Sequence, residues 1–220
     1  MYAGAYTYTV CSNVWRVRNH TLKQRLLVQE LDAKGEWYLH RPTRTLYLRP
    51  NTTETAPPAA GSLVAPVLER VISIRGESST RPVAAVEILN ISFHHAAPTY
   101  LSPSGFSTLV GGGDYAMNKN AALISESVRG LVVSGCTFSK LGGNAVLLYG
   151  YIRDTVVTRN RFFSLGANAV VSWGVADMGD GTTETHPDGV VVSLNVGSEI
   201  GLFEKQGAQQ SSSLRTWTVA

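Results

Sequence analysis

LVVSGCTFSKLGGNAV, residues 131–146, is answered 24 residues later by TVVTRNRFFSLGANAV, residues 155–170. Eight of the 16 aligned positions are identical, where about one would match by chance from ordinary composition. The identities are Val132/Val156, Val133/Val157, Phe138/Phe162, Leu141/Leu165, Gly142/Gly166, Asn144/Asn168, Ala145/Ala169 and Val146/Val170. The apolar residues come as short triplets rich in valine and phenylalanine, which is strand chemistry rather than a helical 3.6 spacing. No stretch between the copies has room for a crossover helix of about 10–12 residues. The pattern predicts short strands at 131–133, 136–138 and 145–148, joined by turns such as Leu141-Gly142-Gly143-Asn144. One such coil cannot bury its own apolar side chains. Stacking coils through parallel pairing lets Val132 cover Val156 and Phe138 cover Phe162.

Two further copies extend the series. VVVSLNVGSEIG, from Val190, aligns with residues 155–166 through Val191, Val192, Asn195 and Gly201 at an offset of 35, which places an 11-residue insertion between Val170 and Val190. A weaker copy, VEILNISFHH at 86–95, sets Phe93 against Phe138. The predicted fold is all-β: a right-handed parallel β-helix, a single-stranded solenoid, with an N-terminal β-hairpin insertion and irregular termini. The hairpin is GEWYLHRPTRTLYLRP, residues 35–50, in which apolar and polar positions alternate on either side of Pro42-Thr43-Arg44. The domain plan is an irregular segment at 1–34, the hairpin insertion and linker at 35–66, and coils over 67–206. Within the coils lie a loop excursion at 96–120 and an insertion at 173–189, and an irregular tail follows at 207–220.

Composition narrows the function classes. Charged residues make up 16% of the 220, below the roughly 25% of ordinary domains. The net charge of +3 is scattered, and the densest group, Arg16, Arg18, Lys23 and Arg25, makes no stripe. No nucleic-acid partner is expected. No run of 18 apolar residues is present, so no membrane span is expected. The start, Met1-Tyr2-Ala3-Gly4-Ala5, lacks the basic region and apolar stretch of a secretory leader. Cys11 and Cys136 make no disulfide framework, and whether they pair stays open.

The order GEWYLHRPTRTLYLRP, APVLERVISIRG, SFHHAAPTYL, GCTFSKLGGNAVLLYGY and SEIGLFEKQ resembles the right-handed, pectate-lyase-like β-helix proteins related to β-helix glycoside hydrolases. The likeness runs from about Glu30 to Gln206, and the hairpin and GLFEKQ motifs are its most specific parts. It implies carbohydrate chemistry, with a polysaccharide or oligosaccharide as partner and glycoside hydrolysis as the ancestral reaction. Family members are often secreted. They continue past the match to Glu204-Lys205-Gln206 with further coils, among which the cleft carboxylates are expected. The chain therefore reads as a truncated or partial member, whose uncapped last coil invites self-association. A non-catalytic fragment that binds glycan or protein is the alternative. A polysaccharide lyase ranks last, because no clustered acids offer a calcium site.

A hydrolase needs two carboxyl groups about 5–9.5 Å apart, and no aligned pair of Asp or Glu appears in the repeats. The catalytic residues are thus not assigned. The substrate-binding candidates are His95, Asp114, Tyr115, Glu199 and Lys205. The resemblance implies that His95 lies near the cleft, where it would bind a hydroxyl or shuttle a proton; the plainer reading is a strand-end histidine on a backbone carbonyl. Asp114 and Tyr115 follow three glycines that let a backbone approach a sugar, or else form a loop tip. Glu199, Glu204 and Lys205 are either cleft residues or a solvated edge. Trp173 either stacks on sugar or covers the insertion. Asn144/Asn168 and Asn160/Asn195 read as amide ladders rather than sugar ligands. Gly142 and Gly166 are expected to supply turn geometry, and Cys136 to point inward. His186, Asp177, Asp180 and Asp188 match no calcium loop, Pro187-Asp188-Gly189 reads as a turn, and neither metal nor cofactor is expected. Of the sequons, Asn19 and Asn51 would matter only in a secreted protein, and Asn90 is expected in a strand, out of reach.

Overall fold

The computed structural model describes residues 6–9, 31, 33, 36–40, 42–49, 63–99, 106–108, 116–174, 186–203 and 218–219. Two compact units divide between Val67 and Leu68. The first holds β1 (Tyr6–Thr9), β2 (Trp37–His40) and β3 (Thr45–Leu48), an antiparallel sheet in the order β1-β3-β2. The hairpin forms where it was read: Trp37 pairs with Leu48 and His40 with Thr45. Arg44 makes the turn with φ 53°.

Every helix-or-strand element among the described residues of the second unit is a strand. Its elements are β4 (Ile72–Arg75), β5 (Val83–Ala84), β6 (Glu87–Leu89), β7 (Ser92–His94), β8 (Phe106–Thr108), β9 (Ala116–Asn118), β10 (Ala121–Arg129), β11 (Val132–Ser134), β12 (Thr137–Leu141), β13 (Asn144–Thr158), β14 (Arg161–Leu165), β15 (Val170–Trp173), β16 (Pro187–Ser193), β17 (Val196–Ser198) and β18 (Thr218–Val219). They form a nine-stranded sheet, a four-stranded sheet in the order β17-β14-β12-β7, and the β8-β9 pair. All pairings in the two larger sheets are parallel except β16 with β18. Neither of these sheets closes on itself.

The repeat is the pairing register. Val132 stands against Val156 and Val133 against Val157. On the other sheet Phe138 stands against Phe162 on one side and Phe93 on the other. The three rings make a ladder, with centroids 4.6 Å apart for Phe93/Phe138 and 5.1 Å for Phe138/Phe162. Leu123, Leu131, Val133, Val146, Leu148, Val157 and Leu165 join them in one buried core. The third copy enters in the expected register, Val156 against Val191 and Val157 against Val192.

The corners between strands are set by residues in the left-handed region. At the ends of the strands of the four-stranded sheet these are His95 and Glu199, directly after β7 and β17, and Lys140 and Ser164, next to last in β12 and β14, with φ between 53° and 60°. Amide ladders fill the buried turns. Asn168 donates from Nδ2 to Asn144 Oδ1 at 3.0 Å, and Asn144 Nδ2 reaches the carbonyls of Asn118 and Asn120, both at 2.9 Å. Asn160 accepts from the Cys136 backbone at 2.8 Å and donates to Asn195 Oδ1 at 3.0 Å. Cys136 is a free, fully buried thiol; Cys11 lies outside the described residues.

Several expectations change. The strand expected at 145–148 runs on as the 15-residue β13, because left-handed residues at Gly150 and Asp154 bend the chain without breaking the ladder. The excursion at 96–120 contains the antiparallel pair β8-β9. Pro187-Asp188-Gly189, read as a turn, opens β16, since Pro187 and Asp188 pair with Ile152 and Arg153. Gly142 and Gly166 serve close approach rather than left-handed geometry: a Cβ on Gly166 would lie 2.3 Å from the Gly142 carbonyl oxygen. Asn90 is exposed at the corner between β6 and β7, with φ 57°, and is not within a strand.

Candidate functional site: an outward aromatic and charged strip

Alternation along β4, β10, β13 and β15 sends Leu123 and Val146 into the core and Ile124 and Leu147 to the opposite face. Two residues further on, that opposite face carries Arg75, Glu126, Tyr149 and Trp173 in one register column. Parallel neighbours stand about 4.8 Å apart, so the column offers four side chains at evenly stepped positions.

Each member has a partner. Arg75 Nε lies 3.1 Å from Glu126 Oε2. The Tyr149 and Trp173 rings meet edge to face, 6.0 Å between centroids and 79° between planes. Both rings are half-buried and pack on a small apolar patch of Ala121, Ile124 and Leu147. The Lys119 ammonium lies 5.0 Å from the Trp173 centroid and 5.5 Å from that of Tyr149. An edge-to-face aromatic pair set on a packed base keeps its shape without a ligand, and such rings give a sugar an apolar face to lie on.

The backbone that carries Lys119 is held from both sides. Asn118 donates from Nδ2 to Thr99 Oγ1. Asn120 donates from Nδ2 to Glu69 Oε2 at 2.7 Å and accepts from Arg70 Nε at 2.5 Å. The side chains of Asn118 and Asn120 are buried, whereas that of Lys119 is half-buried.

The residues singled out from sequence fall elsewhere. His95 and Glu199 occupy the first and last positions of one corner column, with Lys140 and Ser164 between them, as the flanking registers require. Three rung spacings put them roughly 14 Å apart along the column, so the two do not meet at one bond. Glu199 Oε2 accepts from Ser164 Oγ at 2.5 Å. The neighbouring His94 shares a hydrogen bond between Nδ1 and Ser139 Oγ. Asp114, Tyr115, Glu204 and Lys205 lie outside the described residues, as do Asp177 and Asp180. Trp173 is the sequence candidate that joins the strip; Glu126, Tyr149, Arg75 and Lys119 were missed. Tyr149 and Trp173 are separated by the repeat period of 24, a signal that could have found them. Glu126 and Tyr149 are 23 apart because the register shifts between Glu126 and Val128, which hides Glu126 from any alignment of repeats.

Among the described residues no group of three or more His, Cys, Asp or Glu is placed to hold a metal ion, and no helix is long and apolar enough to cross a membrane.

No family model matches the sequence, and no curated protein matches it. Among solved structures the chain is similar to a protein named glycoside hydrolase, at 20% identity and a TM-score of 0.64, over 81% of this chain and 35% of that one. The chain thus spans about a third of that protein's length. At this identity the likeness is one of fold.

Proposed function

We propose that the chain is a right-handed parallel β-helix of glycoside-hydrolase descent that holds a polysaccharide along the strip from Arg75 to Trp173. The observation that carries this reading is the Tyr149–Trp173 pair, preformed at 6.0 Å and continued in register by Glu126 and Arg75. Sugar rings would stack on the aromatics while their hydroxyls reach the carboxylate and guanidinium. The fold likeness to a protein named glycoside hydrolase supports the same class of ligand.

Within this reading, the coils over 67–206 form the binding body, and residues 35–66 are a hairpin insertion and linker in the sequence. His95 and Glu199 are proposed as outer contacts of a long ligand at opposite ends of their corner column. Asp114, Tyr115 and Lys205 are proposed as further sugar contacts. Glu126 is the carboxylate of the strip, and a hydrolytic centre would need a second one on the other side of the bond. Binding is the proposed role of the described strip, and glycoside hydrolysis the proposed ancestral reaction. A second copy is a further proposed partner, docking at the edge strand β17, where Val196 is 63% exposed.

The test is affinity electrophoresis through gels containing plant and algal polysaccharides, run beside assays for reducing ends and for unsaturated products. Retardation by at least one polysaccharide is expected. Unretarded migration through the whole panel overturns the reading, and unsaturated products would replace it with a lyase.

A further inference from the structure

The sequon Asn90-Ile91-Ser92 takes no part in the strip. We propose that Asn90 is an N-glycosylation site, and that its glycan covers an apolar end of the stacked strands at Leu89 and Ile91. The proposal is independent of what the strip binds.

Asn90, Ile91 and Ser92 are all exposed, so the folded chain has room for a glycan at this motif. Asn90 sits at the corner between β6 and β7 with φ 57°. Its backbone is fixed there: the Asn90 amide donates to the Ser134 carbonyl at 3.0 Å, and the Ile91 carbonyl accepts from the Thr137 amide at 2.9 Å. Gly135 makes space for the carboxamide, since a Cβ there would lie 2.3 Å from Asn90 Oδ1. The corner itself does not require asparagine. Arg159 and Leu194 adopt the same conformation, at φ 56° and 54°, between β13 and β14 and between β16 and β17. Nor does Asn90 stand in the buried ladder, whose amides, Asn160 and Asn195, occupy the next position along their corners.

The surroundings give the glycan a role. Leu89 is 45% and Ile91 42% exposed, one on either side of Asn90. β7 is the end strand of the order β17-β14-β12-β7. An apolar end strand invites pairing with another chain, and a terminal repeat needs a polar outer face. A glycan is bulky and solubilising, and on Asn90 it stands between the two apolar side chains. The oligosaccharide comes from a polyprenyl diphosphate donor. A bond forms between Asn90 Nδ2 and the anomeric carbon, and the bond from that carbon to the diphosphate oxygen breaks. The diphosphate leaves with the electron pair, and one amide proton is released.

The experiment is peptide mapping by mass spectrometry of the chain purified from its own cells, with and without peptide N-glycosidase in heavy-oxygen water. The peptide spanning Asn90 is expected to carry an oligosaccharide, and the enzyme to convert Asn90 to labelled aspartate in the treated sample alone. Ser92→Ala, made in the same cells, leaves Asn90 and its corner in place and is expected to abolish the modification, whereas Ser92→Thr retains it. An unmodified Asn90 in the wild-type chain overturns the proposal, as does modification that survives Ser92→Ala. Shielding is read separately, by sedimentation of glycosylated wild type and Ser92→Ala after their urea midpoints are shown to match. The variant is expected to associate into a larger species at equal concentration. An equal state of association overturns the shielding role and leaves the modification site standing.

Discussion

The Phe138 ring lies flat on Phe162, centroids 5.1 Å apart and planes 12° from parallel, although 24 residues of chain separate them. Phe93 covers its other side at 4.6 Å and 2°. A side chain that is fully buried between two rings is where the repeat turns into stability.

Phe138→Ala is expected to remove about 3–5 kcal/mol of unfolding free energy, since truncation leaves a cavity with rings on two sides that cannot collapse together. Urea unfolding followed by tryptophan fluorescence measures it. A loss below about 1 kcal/mol would mean that the ladder does not carry the core.

The Asn160 amide bridges repeats. Its Oδ1 accepts from the Cys136 backbone, and its Nδ2 donates to Asn195 Oδ1 and the Val133 carbonyl. Asn160→Ala orphans buried partners and is expected to cost about 2–3 kcal/mol. Asn160→Asp keeps the acceptor and loses both donated bonds, so it should be destabilised as well. Stability equal to wild type in both variants, by the same urea titration, would remove the ladder from the account.

Both the fold and the limits of the site reading trace to particular residues. Val133/Val157 and Phe138/Phe162 were legible because inward positions must match their neighbours in shape, so the period survives as identity. The corner residues His95, Lys140, Ser164 and Glu199 share a backbone conformation but not a side chain, and their common column is invisible to alignment. Outward positions are freer still: Arg75, Glu126, Tyr149 and Trp173 share a column and no chemistry. The shift between Glu126 and Val128 then breaks the count at the place where it was needed. The handedness of the coil comes from the family resemblance and remains part of the proposal.

Trp173→Ala is expected to weaken polysaccharide retardation about tenfold, because it removes one of the two rings on which sugar would stack. Its ring is half-buried at the edge of a small patch, so the urea midpoint should move little. Undiminished retardation with a normal midpoint would place the ligand elsewhere.

Val196→Lys sets a charge on the edge strand β17, at a position 63% exposed. Charges on an open edge oppose strand pairing with another copy. If the wild-type chain self-associates through this edge, the variant should sediment as a smaller species at the same concentration. Identical sedimentation of associated wild type and variant would move the contact off β17.

The stacking of successive repeats is tested most directly by oxidative cross-linking of paired cysteine variants, read by mass spectrometry after alkylation. Val132 and Val156 are register partners, while Val191 stands one strand beyond Val156. A disulfide needs Cα atoms about 4.4–6.8 Å apart. V132C/V156C is therefore expected to close an internal disulfide under mild oxidation, and V132C/V191C, two spacings apart, to stay reduced. Closure of the second pair in preference to the first would contradict the account.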